Sequence, residues 1–207
     1  MYISRPQIYN LYLVYLCCST SLVHGFARFA LGHRALRGPL NIQQESTALG
    51  TVGRMEIVGS VAPLITLSSY LESGTYNVNE EEHSLTKLQN TKIGVALGAR
   101  LPLGILAPYA RLGWMIYGFY SGSGYRLVDG VREGKNYNYN AWGPTASIGI
   151  ELNPLPIFGV FIQLDAGQEY IRAANFHLIK EEPYPDGRIY FYSSQISLGF
   201  DLSLPFL

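Results

Sequence analysis

Residues 193–206 read Ser-Ser-Gln-Ile-Ser-Leu-Gly-Phe-Asp-Leu-Ser-Leu-Pro-Phe. Because the side chains of a β-strand point alternately to its two faces, this stretch as a strand has one apolar face and one small or polar face. The apolar face carries Ile196, Leu198, Phe200, Leu202, Leu204 and Phe206. The opposite face carries Gln195, Ser197, Gly199, Asp201 and Ser203. This pattern is typical of a strand that separates lipid from a wet interior.

The same alternation recurs in further segments, which we predict to be strands. They are residues 47–58, 61–72, 88–100, 106–120, 139–152 and 157–171, followed by 189–206. Short connections rich in Pro and Gly alternate with longer polar ones. The short ones are 59–60, 101–104 and 153–156, and the long ones are 73–87, 121–138 and 172–188. One end of the structure should therefore have tight turns and the other loops, as in bacterial outer-membrane barrels.

The strand count requires one more strand at the start of the chain. We expect all tight turns to lie at the end of the barrel where the last strand finishes. One further strand must then precede residue 47, and residues 26–35 are the candidate. Single-chain bacterial barrels of this kind have an even number of strands. We therefore predict an all-β fold, an eight-stranded antiparallel up-and-down transmembrane β-barrel that forms a single domain over residues 26–207.

The composition of the polar face indicates which face is outside. A soluble barrel of the lipocalin type has the same alternation with the apolar face inside, and it is the alternative to a membrane barrel. A soluble exterior is usually about 25–35% charged, whereas the whole chain is only 14% charged. The polar face is mostly small residues with charges of balanced sign, which suits a crowded lumen. We predict a lumen charge network of Arg54, Glu56, Lys92, Arg100, Arg111, Glu151, Asp165 and Glu169.

Aromatic residues near both ends of the apolar face support the membrane interpretation. Membrane barrels carry aromatic girdles at the two interfaces of the bilayer, although Tyr and Trp are common in any β protein. The predicted girdle comprises Tyr120, Trp142, Tyr170, Tyr190 and Tyr192 at the loop end, with Phe158 and Phe206 at the turn end.

The first 25 residues are predicted to be a cleaved signal peptide. Arg5 supplies a positive start, residues 11–18 form an apolar run, and Val23-His24-Gly25 is a suitable cleavage site. The run is shorter than the roughly 20 residues of a membrane-spanning helix. An uncleaved anchor, a buried strand or a lipoprotein acylated at Cys17 or Cys18 are the alternatives. Both cysteines would leave with the signal, so the mature chain is expected to have no disulfide or cysteine metal site.

Enzymatic, metal and nucleic-acid functions find little support in the sequence. The net charge is zero, which gives no reason to expect nucleic acid as a partner. His83 lies beside Glu82 and Ser84, but an ordinary charged loop explains this cluster better than a nucleophile with a positioned base. We therefore expect no catalytic residues, no metal site, no cofactor and no enzyme activity.

Residues 100–114 contain a short turn followed by Pro108-Tyr109-Ala110-Arg111-Leu112-Gly113, and residues 149–152 and 164–170 are similar in kind. These segments resemble small outer-membrane barrels of the OmpA/OmpW-like superfamily. The resemblance implies a location in the outer membrane of a diderm bacterium, with membrane lipid and the barrel-assembly machinery as partners. The chain departs from the pattern by ending Pro205-Phe206-Leu207, where the superfamily usually ends on the aromatic residue itself.

Two functions are open for such a barrel. The first is an OmpW-like narrow channel for small or apolar molecules, favoured by the Gly-rich inner face. The alternative is a surface-exposed adhesin or host-contact barrel with a plugged lumen, whose partner is a host surface molecule. Its motivating feature is the predicted loop 121–138, where Tyr and Asn alternate towards Asn140, a composition suited to adaptable recognition. The acidic runs 80–82 and 181–182 lie in the other long loops.

Overall fold

The computed structural model describes residues 25–38, 46–78, 85–128, 131–172 and 188–203. They form eight antiparallel strands in one closed barrel, each strand paired with its neighbours in chain order. The strands are β1 (Gly25–Gly38), β2 (Ser46–Ala62), β3 (Ile65–Asn77), β4 (Leu85–Arg100), β5 (Leu106–Val128), β6 (Val131–Leu155), β7 (Phe158–Arg172) and β8 (Arg188–Ser203). The predicted fold class is confirmed.

Pairing between the first and last strands closes the barrel. Residues 26–37 of β1 pair with residues 192–203 of β8, from Phe26↔Ser203 to Arg37↔Tyr192. The strand inferred from the turn count therefore exists, and it extends three residues beyond the predicted Ala35. Because closure leaves no free strand edge around the wall, the backbone groups pair along continuous ladders, as the hydrocarbon of a bilayer requires.

The apolar faces of the strands point outwards. In β3, exposed and buried residues alternate without interruption from Ile65 to Asn77, so Leu71 faces out and Glu72 faces in. Leu112 and Leu31 are 73% and 70% exposed on the outer wall. An apolar exterior around a charged interior is the reverse of a soluble barrel, so the lipocalin-type alternative is wrong.

The first tight turn lies further along the chain than predicted. β2 continues through Gly59 and Ser60 to Ala62, with a register shift against β3 between Ser60 and Ala62. Residues 63–64 then form the turn. Pro63 lacks a backbone N–H and cannot continue the ladder, which explains why the strand ends there rather than at Gly59.

Most of the predicted loop 121–138 is strand. β5 and β6 pair with each other as far as Val128↔Val131. Pairing of β5 with β4 ends at Gly124, and pairing of β6 with β7 begins at Ala141. Among the described residues, 125–128 and 131–134 therefore form a two-stranded extension beyond the barrel wall, which we call the β5–β6 extension.

A bulge in β5 turns Tyr120 into the barrel. The register of β5 shifts against β6 between Met115 and Gly118, so Ile116 and Tyr117 both face outwards. The inserted residue reverses the alternation that follows it. Tyr120 is only 1% exposed, and its assignment to the outer girdle was wrong for this reason.

The described part of the chain contains no helix long and apolar enough to cross a membrane. Of the predicted signal peptide, residues 1–25, only Gly25 lies within the described residues, where it begins β1. Cleavage after Gly25 stays a prediction.

Candidate functional site

The interior of the barrel is the candidate functional site, because the strands collect their charged side chains there. The inward bases are Arg28, Arg34, Arg54, Lys92, Arg100 and Arg111, and the inward acids are Glu56, Glu72, Glu151, Asp165, Glu169 and Asp201. Six positive charges therefore meet six negative ones. They form three groups from the turn end to the loop end.

The turn-end group is built on Arg28 and Arg100, which share Glu151. Nε of Arg28 donates to Oδ1 of Asp201 at 2.8 Å, and its Nη2 pairs with Glu151. Nε of Arg100 donates to the other Glu151 oxygen at 2.6 Å. The guanidinium carbon of Arg28 also lies 4.2 Å from the centre of the Phe161 ring. A buried charge is tolerated when such partners compensate its lost hydration.

The middle group links two ion pairs through an amide. Arg54 Nη1 lies 3.1 Å from Asp165 Oδ1, and Arg111 pairs with Glu56. Gln163 accepts a hydrogen bond from Arg111, and its Nε2 donates to Asp165 Oδ1 at 2.7 Å. The four charges are thus held in one hydrogen-bonded network across the lumen.

The loop-end group contains two acids between two bases. Arg34 Nη2 donates to Glu72 Oε2 at 2.7 Å, and Lys92 pairs with Glu169. Lys92 Nζ also lies 3.9 Å from Glu72 Oε1. The hydroxyl of Tyr120 donates to Glu169. The bulge in β5 therefore places a tyrosine where it joins the charged groups to the layer above them.

An apolar cluster fills the lumen at the loop end. Its members are Leu36, Ala48, Val52, Tyr76, Val78, Leu88, Met115, Tyr120, Tyr139, Ala141, Ile171 and Phe191, each at most 4% exposed. Tyr139 stacks between two rings, with centroids 4.9 Å from Tyr120 and 6.2 Å from Phe191. We call this set the apolar plug, since it lies inside the barrel at the loop end.

Two spaces are described inside the barrel. A void among the middle and loop-end groups, lined by Arg34, Arg54 and Asp165, measures about 20 Å³, enough for one water molecule. A larger cavity of about 720 Å³ opens at the turn end. The interior is thus accessible from the turn end and filled towards the loop end.

All eight residues predicted for the lumen network lie inside the barrel: Arg54, Glu56, Lys92, Arg100, Arg111, Glu151, Asp165 and Glu169. The predicted network omitted Arg28, Arg34, Glu72 and Asp201, of which Arg34 and Glu72 lay near the ends of predicted strands. Glu72 was the last residue of a predicted strand, and Arg34 lay near the end of the strand inferred from the count. Strand alternation would have placed both on the inward face, Glu72 one residue after the outward Leu71 and Arg34 two residues after the inward Gly32.

The outward-facing aromatic residues lie near the two ends of the barrel wall. At the loop end Trp142 and Tyr192 are exposed, and the half-buried Tyr170 meets Tyr190 edge to face at 5.1 Å. Tyr117 and Phe119 also face outwards there. At the turn end Phe158 stacks on Phe200 with centroids 6.3 Å apart. Phe206 lies outside the described residues.

The described residues contain no group of three His, Cys, Asp or Glu side chains that could hold a metal ion. His33 is exposed on the outer face of β1. The cluster around His83 and the acidic runs 80–82 and 181–182 lie outside the described residues.

A lipid-facing apolar wall around a charge-paired interior, closed by eight antiparallel strands, defines an integral β-barrel of the bacterial outer-membrane class. The localisation predicted from the sequence agrees with this class.

The comparisons with known proteins agree with that fold. No protein-family model and no curated protein matches the sequence. The structure is similar to Neisserial surface protein A, with a TM-score of 0.51 and 15% identity over 87% of this chain and 97% of that one. OprG from Pseudomonas aeruginosa aligns over 88% of this chain and 95% of its own, with 11% identity and a TM-score of 0.47. Ail of Yersinia pestis, in complex with the heparin analogue sucrose octasulfate, aligns over 86% and 99% with 13% identity and a TM-score of 0.44. The resemblance to small outer-membrane barrels is thus confirmed at the level of the fold.

Proposed function

We propose that this barrel does not conduct and acts through its outer surface at the loop end, as a contact protein for molecules outside the cell. The apolar plug carries this proposal. A channel needs a continuous polar path, whereas the plug covers the charged groups with stacked rings and aliphatic side chains.

The narrow-channel function is the less favoured alternative. A solute that enters from the turn end meets six inward bases paired with six inward acids, and a void of about 20 Å³ among them, before it reaches the plug. Passage would require these pairs to separate, which is unfavourable because it leaves buried charges without partners. An eight-stranded barrel can fill its lumen with side chains in this way.

The contact surface lies on β5 and β6 at the base of the β5–β6 extension. Ser123 pairs with Asn136 across the two strands, and Ser121 pairs with Asn138. Ser123, Asn136 and Asn138 are exposed on one face. Hydroxyl and amide groups in such a row can donate and accept hydrogen bonds, which suits adaptable recognition of polar ligands. Tyr139 is buried in the plug, so it supports the extension and does not contact a ligand.

A shortened extension tests this proposal. Residues 125–134 are replaced by Asn-Gly, and Ser123, Asn136 and Asn138 are each replaced by Ala, which removes the contact groups and retains Tyr120, Tyr139 and the pairing at Gly124. We expect binding to host-cell surfaces or immobilised host glycans to be lost, while the heat-dependent mobility of the barrel in SDS gels is kept. Gly59→Ala serves as a control at the turn end, because an added methyl group there meets nothing within 4 Å. Equal binding by the shortened and parent proteins, or none by the parent, would contradict the proposal.

A further inference from the structure

The turn end of the barrel presents an apolar surface. Residues 60–64, 101–105 and 153–157 contain no charged side chain. They expose Val61, Leu64, Leu101, Leu103, Ile105 and Ile157, the last at 68%. Barrels of this class direct their short turns to the periplasm, where a soluble surface would be about 25–35% charged. An extended apolar patch marks a membrane or partner contact. We call this surface the apolar rim.

The apolar rim surrounds the cavity of about 720 Å³ at the turn end. Arg100, Glu151 and Asp201 line its inner part, and Phe26 and Phe158 contribute to its walls. The Arg100 side chain is 28% exposed, whereas the other five inward bases are at most 7% exposed. Arg100 is therefore the inward base that a ligand can reach.

The Arg100 guanidinium is held in place and still has N–H groups that can donate hydrogen bonds to a ligand. Its Nε is fixed by Glu151 at 2.6 Å, and its guanidinium carbon lies 5.8 Å from the centre of the Phe26 ring. Within the described part of the chain, no hydrogen bond uses its two Nη atoms. Two parallel N–H groups of a fixed guanidinium match the oxygens of a phosphate.

We propose that this cavity binds the headgroup of a zwitterionic phospholipid from the periplasmic leaflet. The phosphate accepts hydrogen bonds from the Nη atoms of Arg100, and the headgroup ammonium lies towards Glu151 and Asp201. Arg28 and Arg100 balance these two carboxylates, so the site has no net charge and favours a neutral headgroup over an anionic one. The glycerol and acyl carbons lie on the apolar rim.

Continuity with the lipid-facing wall supports a lipid over a soluble ligand. The outward apolar row of β2, which includes Ile57, leads to Val61 at the rim, and that of β4, which includes Leu97, leads to Leu101. An acyl chain can follow this surface without crossing a polar strip. The proposal does not depend on the function proposed for the loop end.

Native mass spectrometry of the refolded protein tests the proposal. The protein is released from micelles that contain equal amounts of phosphatidylethanolamine and phosphatidylglycerol, and we expect one phosphatidylethanolamine to be retained preferentially. Arg100→Gln should lower the retained fraction about tenfold, the effect of losing one charge-assisted hydrogen bond. Arg100→Lys should retain an intermediate fraction. Lys87→Gln removes an exposed base near the loop end and should leave retention unchanged.

Folding of each variant is checked by its heat-dependent mobility in SDS gels. If Arg100→Gln fails to fold, Ile157→Gln on the exposed rim provides the test and should also lower retention. The proposal is overturned if the parent retains no lipid, if both lipids are retained equally, or if the site variants retain as much as the parent. Displacement by an equimolar amount of soluble phosphoethanolamine would show that the rim adds nothing and would also overturn it.

Discussion

At the scale of single residues, the lumen is filled because long side chains lie across small ones. A Cβ atom at Gly98 would lie 2.2 Å from Cγ of Arg111 and 2.5 Å from the carbonyl oxygen of Ala110. Because Gly98 has no side chain, Arg111 can lie across it and reach Glu56. Small residues opposite long charged ones explain why the polar face of the sequence is rich in glycine.

Gly98→Val should destabilise the barrel by about 1–3 kcal/mol, the usual effect of overpacking. The added side chain collides with backbone at Ala110, which cannot move as freely as a side chain. Urea unfolding of the refolded protein in detergent measures the change. Gly59→Ala, in open space, should have no such effect, and equal stabilities of the two variants would contradict the packing argument.

Glu72→Leu should cost about 3–5 kcal/mol, because Arg34 loses its buried partner. The double variant Arg34→Met with Glu72→Leu removes both charges and should recover most of that loss, since Lys92 keeps Glu169 and Tyr76 keeps its hydrogen bond from Asn90. The same unfolding measurement applies. If the double variant is no more stable than Glu72→Leu alone, Arg34 must find another partner in Glu72→Leu. That result would contradict the prediction.

At the scale of strands, alternation predicts which way side chains point until a bulge intervenes. The rows along β3, β7 and β8 could be assigned from sequence because those strands are regular over their apolar rows. In β5 the position of the bulge depends on pairing with β4 and β6, which single-strand alternation does not contain. Tyr120 was therefore placed on the wrong face.

Cysteine scanning of β5 tests the bulge. With Cys17 and Cys18 both in the predicted signal peptide, single cysteines can be introduced without background in the mature chain. We expect Ile116→Cys, Tyr117→Cys and Phe119→Cys to react with a lipid-soluble maleimide in bilayers, whereas Tyr120→Cys should not. Strict alternation, with reaction at 116, 118 and 120, would rule out the bulge.

The β5–β6 extension could not be recognised from sequence for a different reason. The predicted loop 121–138 that contains it is rich in Ser, Gly, Tyr and Asn and lacks a long apolar row, because these strands extend beyond the lipid-facing wall. Among the described residues, 125–128 pair only with β6. Composition alone therefore predicted a loop, while the regular pairing depends on contacts between two distant segments.

At the scale of the whole molecule, the strand number and the side facing lipid followed from the sequence. The alternation of short and long connections required a first strand before residue 47, and β1 closes the barrel against β8. The state of the lumen did not follow, since an even balance of inward charges fits both a plug and a polar channel. The ring stack around Tyr139 distinguishes them, and Tyr120, one of its three members, had been assigned to the outer girdle.

A closed membrane barrel should also resist SDS until it is heated. We expect the unheated refolded protein to migrate differently from the heated one, because the strand ladder is closed and unfolds as a unit. Identical mobility, together with full solubility without detergent, would contradict the membrane barrel.

Single-channel recording in planar bilayers measures whether the apolar plug closes the lumen. We expect no unitary conductance steps from folded protein. Tyr139→Ala, which removes the middle ring of the stack, is the matched variant and should conduct if the plug is the barrier. Discrete, reproducible steps from the unaltered protein would contradict a closed lumen and favour the narrow channel.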